Sequence, residues 1–142
     1  MKNKVLITGK SGFIGSNLMK RIPNHISVLE NGSKSIDLRI RSEVLKINKV
    51  DTVIHLAGKI PSEERNSQNI FFEHNVLGTL NILEYCVNKK IKKIIYVSSY
   101  VYGNSKKNPI NEKEVVNPHN AYTKSKALGE ELCKIYGEKF GI

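Results

Sequence analysis

Val5-Leu6-Ile7-Thr8-Gly9-Lys10-Ser11-Gly12-Phe13-Ile14-Gly15 is the stretch whose reading decides the fold. The apolar run Val5, Leu6, Ile7 reads as a buried parallel strand. Glycines follow at a spacing of three, Gly9, Gly12 and Gly15, and Ile14, Leu18 and Ile22 then recur at helical spacing over residues 13–22. Strand, glycine turn, helix is the order a nucleotide-phosphate site requires. Glycine lets the backbone turn sharply, approach a pyrophosphate and pack helix on strand without a Cβ in the way. The helix start adds unpaired N–H groups and the positive end of its dipole, which favour an anion. The first gap holds two residues, Lys10 and Ser11, where the usual dinucleotide fingerprint has one. An ordinary strand–turn–helix shares this pattern, so the reading needs support from the rest of the chain.

Downstream, Pro23 and Asn24 mark a turn, and Ile26 to Leu29 reads as a second strand ending at Glu30, 21 residues beyond Gly9. An acidic group at that distance can accept hydrogen bonds from an adenosine ribose diol and would repel a 2′-phosphate, favouring NAD over NADP. A surface glutamate ahead of Asn31-Gly32-Ser33 is the plainer alternative. Residues 34–38 predict a short third strand ending at Asp37, and Arg41 to Asn48 a short helix with Val44, Leu45 and Ile47 apolar. Residues 51–58 form a nearly continuous apolar run, as in a strand covered on both faces. Ala57 and Gly58 at its end would let a flat ligand lie close. His55 reads as a packed strand-end histidine, and nothing around it has metal-ligand spacing. After a polar loop, Ile70 to Lys89 predicts a long helix with an apolar stripe at Phe72, Val76, Leu80, Leu83 and Val87, and Asn75 and Gly78 on another face. Lys93 to Val97 predicts the fifth strand, running into Ser98 and Ser99. A polar loop over 103–120 leads to a last helix from Ala121 to about Lys139, with Ala121, Ser125, Leu128, Leu132 and Ile135 as its core stripe.

Strands alternating with helices predict an α/β fold, a doubly wound parallel sheet with right-handed crossovers. Gly9, Glu30, Asp37, Gly58 and Ser99 all fall at carboxyl ends of expected strands, where such sheets bind ligands.

The 142 residues fit one domain, and 39% hydrophobic with 25% charged residues suits a globular protein. No apolar run approaches the roughly 20 residues of a membrane helix. The first strand starts at once, so no signal peptide and a cytoplasmic location are expected. Cys86 and Cys133 read as small helix side chains in a reducing compartment. The net charge of +10 comes mostly from scattered lysines. The densest group, Lys89, Lys90, Lys92 and Lys93, suits a helix C-terminus. Without interleaved aromatics, neither nucleic acid nor membrane is expected as a partner.

On the last helix Tyr122 and Lys126 stand four apart and share a face. A phenol of pKa about 10 is a poor base at neutral pH, and a neighbouring ammonium stabilises its phenolate. Ser99, at the end of the fifth strand, could hydrogen-bond the substrate oxygen. Together they suit a hydroxyl-to-ketone conversion beside a hydride acceptor.

Six stretches in order carry a resemblance: Thr8 to Gly15, Asp37-Leu38-Arg39, His55-Leu56-Ala57-Gly58, Asn75-Val76-Leu77-Gly78-Thr79, Ser98 to Gly103, and Tyr122 to Lys126. Through them the chain resembles the extended short-chain dehydrogenase/reductase superfamily, in particular the NAD-dependent epimerase/dehydratase family of nucleotide-sugar enzymes. The two-residue first gap is that family's version of the fingerprint. The resemblance implies an incomplete Rossmann-like NAD-binding domain over residues 1–142, without the family's later strands and C-terminal substrate-binding half. It implies that Phe13 and Ile14 offer backbone to the pyrophosphate, and that Asp37 and Leu38 contact adenine. Leu56, Ala57 and Gly58 line the cofactor, and Asn75 holds the active-site architecture. Tyr122 is the acid/base, and Lys126 binds the nicotinamide ribose and depresses the tyrosine pKa. A serine polarises a sugar hydroxyl; counting from the strand selects Ser99, counting back from Tyr102-Gly103 selects Ser98, and Ser99 is preferred. Where dehydratases carry acidic residues after that hydroxyl, this chain has Tyr100 and Val101, which disfavours dehydration. The expected function is transient oxidation of a sugar hydroxyl by bound NAD, as in an epimerase acting on a nucleotide sugar, with a possible homodimer through the two long helices. The alternatives are an NAD(P)-dependent sugar-nucleotide reductase or a non-catalytic dinucleotide-binding domain.

Overall fold

A computed structural model of the protein describes residues 3–24, 26–28, 36–62, 67–100, 103 and 109–142. Four parallel strands, β1 (Asn3–Thr8), β2 (Ile26–Val28), β3 (Thr52–His55) and β4 (Ile94–Tyr96), form one sheet in the order β2-β1-β3-β4. The chain adds β2 on one side of β1 and then β3 on the other. A switch point therefore opens between the carboxyl ends of β1 and β3, where Thr8 pairs with His55. Val5, Leu6, Ile7 and Thr8 are all buried although successive side chains point to opposite faces, so β1 is covered on both sides.

Between the strands run α1 (Phe13–Met19), α2 (Arg41–Val44), α3 (Asn69–Phe71) and α4 (Gly78–Lys89), and α5 (Ala121–Phe140) follows β4. A π-helical turn, Phe72–Leu77, joins α3 to α4. The core lies between sheet and helices, where Leu6 and Val53 meet Val44, Ile47, Ile82, Tyr85, Cys86 and Ile91. Tyr85 keeps its hydroxyl satisfied by donating to the Asn48 carbonyl at 2.7 Å.

Several expectations are corrected. The strand expected over 34–38 does not form in residues 36–38. The Asp37 N–H goes to the Glu43 carboxylate at 3.2 Å and its carbonyl accepts from Ile40 at 3.0 Å, so a turn takes the backbone groups a ladder would need. Helix α1 ends at Met19, where the Arg21 N–H turns back to the Leu18 carbonyl ahead of Pro23. Ile14 is 56% exposed and so does not join a core stripe. Helix α2 has one turn, then tightens as Lys46 and Ile47 bond three residues back.

On the long helix the inward face runs through Phe71, Asn75, Thr79, Ile82 and Cys86; of the expected stripe Leu83 is fully buried, while Phe72 is 37% exposed. Polar side chains can face inward there because each is hydrogen-bonded: Asn75, Thr79 and Asn81, the last donating to the Leu38 carbonyl at 2.8 Å. The same happens on α5. Leu128 and Ile135 are 46% and 52% exposed, while Thr123, Ser125, Lys126 and Gly129 are buried. Gly129 is inward because a Cβ there would stand 2.7 Å from Cζ of Tyr96. Helix α5 starts on a capping box, in which Asn120 accepts from the Thr123 N–H and Thr123 accepts from the Asn120 N–H, and ends at Gly141 with φ +65°. Among the described residues no helix is long and apolar enough to cross a membrane, and no group of histidine, cysteine and acidic side chains could hold a metal.

Candidate active site

Thr8 ends β1 and Gly9 turns the chain with φ +71°. A side chain is impossible at Gly9, whose Cβ would stand 2.7 Å from the Ala57 nitrogen across the switch point. It is equally excluded at Gly15, where a Cβ would lie 2.6 Å from the Lys10 Cα, because α1 packs directly on the turn. Gly12 differs: its Cβ would meet only the Gly9 oxygen, at 3.4 Å. Gly12 also caps α1 with no side-chain hydrogen bond, so the cap residue itself satisfies none of the first N–H groups of the helix with a side chain. Phe13 is 87% exposed, its carbonyl accepting from Ser16 and Asn17.

Beyond the switch point, Ala57, Gly58, Ile36, Asp37, Leu38, Arg39 and His74 line a cleft of about 360 Å³. Asp37 is clamped by Arg39, whose Nε and Nη2 reach its two oxygens at 3.0 and 2.7 Å. This partner holds the carboxyl well below its usual range, at about 2. Arg39 also lies 3.6 Å from Glu73, linking the turn to the π-helical segment.

Gly58 is the junction. A Cβ on it would stand 3.0 Å from Asn75 Oδ1 and 3.8 Å from Lys126 Nζ, so the cleft ends against the Tyr122–Lys126 helix. Asn75 uses its amide fully: Oδ1 accepts from the Lys59 N–H at 2.6 Å, and Nδ2 donates to the Lys59 carbonyl at 3.0 Å and to Ser125 Oγ at 2.9 Å. Ser125 in turn donates to the Tyr122 carbonyl at 2.7 Å. The Tyr122 hydroxyl donates to Ser99 Oγ at 3.1 Å, with the Phe71 ring edge-on 5.8 Å away. Lys126 is 6% exposed, and its ammonium donates to the Val97 carbonyl at 2.9 Å. Burial lowers its pKa to about 8. Ser98 Oγ, one residue before Ser99, is buried without a hydrogen-bond partner among the described residues.

His55 is fully enclosed and its proton can be assigned. Thr79 spends its hydroxyl proton on the Asn75 carbonyl at 2.6 Å, so it accepts from His55 Nε2–H at 3.0 Å. Nδ1 then accepts from the Thr8 hydroxyl at 2.6 Å, and the Thr8 oxygen accepts from the Ala57 N–H at 3.1 Å. Burial, then the Lys126 charge, push the His55 pKa down to about 3, so it stays neutral.

The profile described as NAD dependent epimerase/dehydratase family matches residues 5–142. The chain belongs to that family. It is 38% identical over 161 residues to the putative UDP-glucose 4-epimerase of Methanocaldococcus jannaschii, covering 97% of this chain and 52% of that one. It is 35% identical over 179 residues to the dTDP-D-glucose 4,6-dehydratase of Dictyostelium discoideum, covering 98% and 41%. Its fold superposes on RMD from Pseudomonas aeruginosa, solved with NADPH, with TM-score 0.87 and 30% identity over 98% of this chain and 50% of that one. The chain thus spans about half the length of the relatives it matches.

As a member of the epimerase/dehydratase family, the chain brings most of its expected site residues to one sheet edge: Gly9, Gly12, Gly15, Asp37, Leu38, Ala57, Gly58, Asn75, Ser99, Tyr122 and Lys126. Leu56 is tied in through its N–H to the Thr8 carbonyl at 3.2 Å. Phe13 and Ile14 stand at the open start of α1. Glu30 lies outside the described residues. The side-chain-free approach at Gly12, the uncapped helix start, the cleft ending at Gly58 and the unpaired Ser98 hydroxyl together fit a long, polar dinucleotide. Sequence reasoning missed Ser125, the Thr8–His55–Thr79 ladder, and Arg39 and His74 in the cleft. Thr8, Arg39, His55, Thr79 and Ser125 all lie within the six stretches that carry the family resemblance, which was the usable signal for them; His74 lies outside those stretches.

Proposed function

We propose that this chain is the NAD-binding half of a nucleotide-sugar epimerase-like oxidoreductase. The observation that carries the reading is the convergence at Gly58 of the Asp37–Leu38 cleft and the Lys126 ammonium. In this reading the N–H groups of Phe13 and Ile14 hold the pyrophosphate beside Gly9, Gly12 and Gly15, and Glu30 takes the adenosine ribose. Asp37 and Leu38 meet adenine, Leu56, Ala57 and Gly58 line the channel, and Asn75 holds Lys59 and Ser125 in register. When bound, NAD supplies hydride acceptance and return.

The chain's own groups manage the proton and the oxygen. Tyr122 Oη takes the proton of a sugar hydroxyl and gives it back, Ser99 Oγ donates to the same sugar oxygen, and Lys126 Nζ binds the nicotinamide ribose. Tyr100, at one of the positions where a dehydratase needs an acid, donates its hydroxyl to the Gly103 carbonyl, which supports epimerisation over elimination. The free thiols Cys86 and Cys133 suit a reducing cytoplasm. Exposed Phe72, Leu128 and Ile135 on the two long helices support a homodimer.

Isothermal titration of the chain with NAD and NADP tests the cofactor reading. NAD binding tighter than NADP is expected, and a folded sample that binds neither, or prefers NADP, rejects it. With the substrate half present, stoichiometric consumption of NADH by a 4-keto-sugar nucleotide would replace the epimerase reading by a reductase.

A further inference from the structure

Tyr96 closes β4 and makes four contacts that the roles above leave unused. The Lys126 ammonium sits 4.4 Å from the centroid of its ring. The His55 ring lies 5.7 Å away, tilted by 42°. The Tyr96 hydroxyl donates to the Lys126 carbonyl at 3.3 Å, so one side chain engages both ends of the lysine. The fourth contact is with Gly129, one turn along α5, where any Cβ would run into the hydroxyl and stand 2.7 Å from Cζ. The strand register explains how the ring gets there. His55 pairs with Tyr96 across β3 and β4, so the two rings are neighbours at the carboxyl edge and the lysine comes down over them from α5.

A buried lysine on a flexible four-carbon stem needs something to fix its ammonium. Here the Val97 carbonyl supplies one hydrogen bond, and the negative face of the Tyr96 ring supplies an attraction that strengthens where water is excluded. We propose that Tyr96 is the positioning residue for Lys126, its ring holding the ammonium against the Val97 carbonyl at the sheet edge, with Gly129 present to admit that ring. This rests on the reading of Lys126 as the group that meets the nicotinamide ribose. It goes beyond it by naming what keeps the ammonium charged and in place.

The groups facing Lys126 are few in kind. Strand β3 presents His55, which is neutral; β4 presents Tyr96; α5 itself presents Glu130, whose charge favours the ammonium, and the Cys133 thiol, which burial pushes up to about 11 and so keeps neutral; the π-helical turn presents the amide of Asn75. Burial opposes all of these, so removing the ring's attraction tips the lysine further toward its neutral form.

The test uses the 142-residue chain with isotopically labelled lysine, followed by NMR, and NAD titration at pH 6 and pH 8, for the native chain and for Tyr96→Phe, Tyr96→Leu and Lys126→Ala. In the native chain the Lys126 side-chain protons should be displaced upfield by the ring. Tyr96→Phe keeps the ring and should keep the Lys126 midpoint near 8. Tyr96→Leu should lose the upfield displacement and lower the midpoint by about one pH unit. It should also weaken NAD binding several-fold at pH 8 and less at pH 6, where the amine is charged in the native chain and in both Tyr96 variants. A general loss of packing would not produce that pH-dependent gap. Absence of the upfield displacement in the native chain overturns the proposal without any variant. So does a folded Tyr96→Leu chain with native midpoint and native NAD affinity. If Lys126→Ala weakens NAD binding and Tyr96→Leu does not, the role of Tyr96 alone is rejected. If neither weakens it, the assignment of Lys126 to the cofactor falls as well.

Discussion

Asn75 and Ser125, fifty positions apart, are joined by a 2.9 Å hydrogen bond deep in the protein. That bond ties the π-helical turn to the helix carrying Tyr122 and Lys126, and the same amide holds the backbone of Lys59 beyond β3. The π-helical turn contributes by setting Asn75 on the inward face, as such turns often do at functional sites.

Replacing Asn75 by alanine leaves the half-buried Lys59 N–H and carbonyl without that partner and takes the amide donor away from the buried Ser125 Oγ. With about 1–3 kcal/mol for each buried group left unpaired, a loss of about 3 kcal/mol is expected. Urea unfolding of Asn75→Ala against the native chain measures it. A loss below about 1 kcal/mol would mean that water replaces the amide there.

The three glycines should fail in different ways. Gly15→Ala forces a Cβ into the backbone of Lys10 and is expected to lower the melting temperature sharply. Gly12→Ala meets almost nothing in the protein and should melt near the native temperature, yet lose at least tenfold in NAD affinity because its methyl occupies the approach to the pyrophosphate. Calorimetry and NAD titration of the two variants separate the effects. Native NAD affinity in Gly12→Ala would remove the phosphate from that turn.

Tyr122→Phe keeps the ring against Phe71 and deletes the hydroxyl that reaches Ser99. NAD affinity of the chain should change less than about threefold. Turnover, measured in a protein that also carries the substrate half, should fall by about 10²–10⁴, the usual worth of a positioned acid/base. Retained turnover would exclude Tyr122 from the proton transfer.

Two buried groups make stability depend on pH. Burial holds His55 at about 3 against an ordinary 6.5, and Lys126 at about 8 against 10.5. In both windows the unfolded chain binds a proton that the folded chain does not, so stability rises with pH across each. The His55 share disappears as pH falls from 6.5 toward 3, and the cost of burying the Lys126 charge is relieved as pH climbs from 8 to 10.5. The Cys86 and Cys133 thiols, pushed by burial up to about 12 and about 11, work against this above about pH 9, so the Lys126 share is read as a difference: the urea midpoint of Lys126→Met should lose ground to that of the native chain as pH climbs from 8 to 10.5. A native-to-variant difference that stays constant from pH 8 to 10.5 would contradict it.

Local pattern alone determined the strand–glycine–helix opening, the parallel α/β class and the placing of Tyr122 and Lys126 on one helix. Glycine spacing, apolar runs and the four-residue step are all short-range signals. The third strand failed because residues 36–38 look extended in sequence, while their backbone groups bond to Ile40 and Glu43 in a turn. The helix faces failed for a different reason. Hydrophobic periodicity assigns Leu128 and Ile135 inward with Ser125 and leaves Asn75 off the apolar stripe, whereas the fold exposes Leu128 and Ile135 and buries Asn75 and Lys126 beside Ser125 because partners from other elements satisfy them. A polar side chain's burial depends on what stands opposite it, and only the packed sheet and helices decide that. So the tertiary structure alone revealed the His55 ladder, the Tyr96 ring beneath Lys126 and the junction at Gly58.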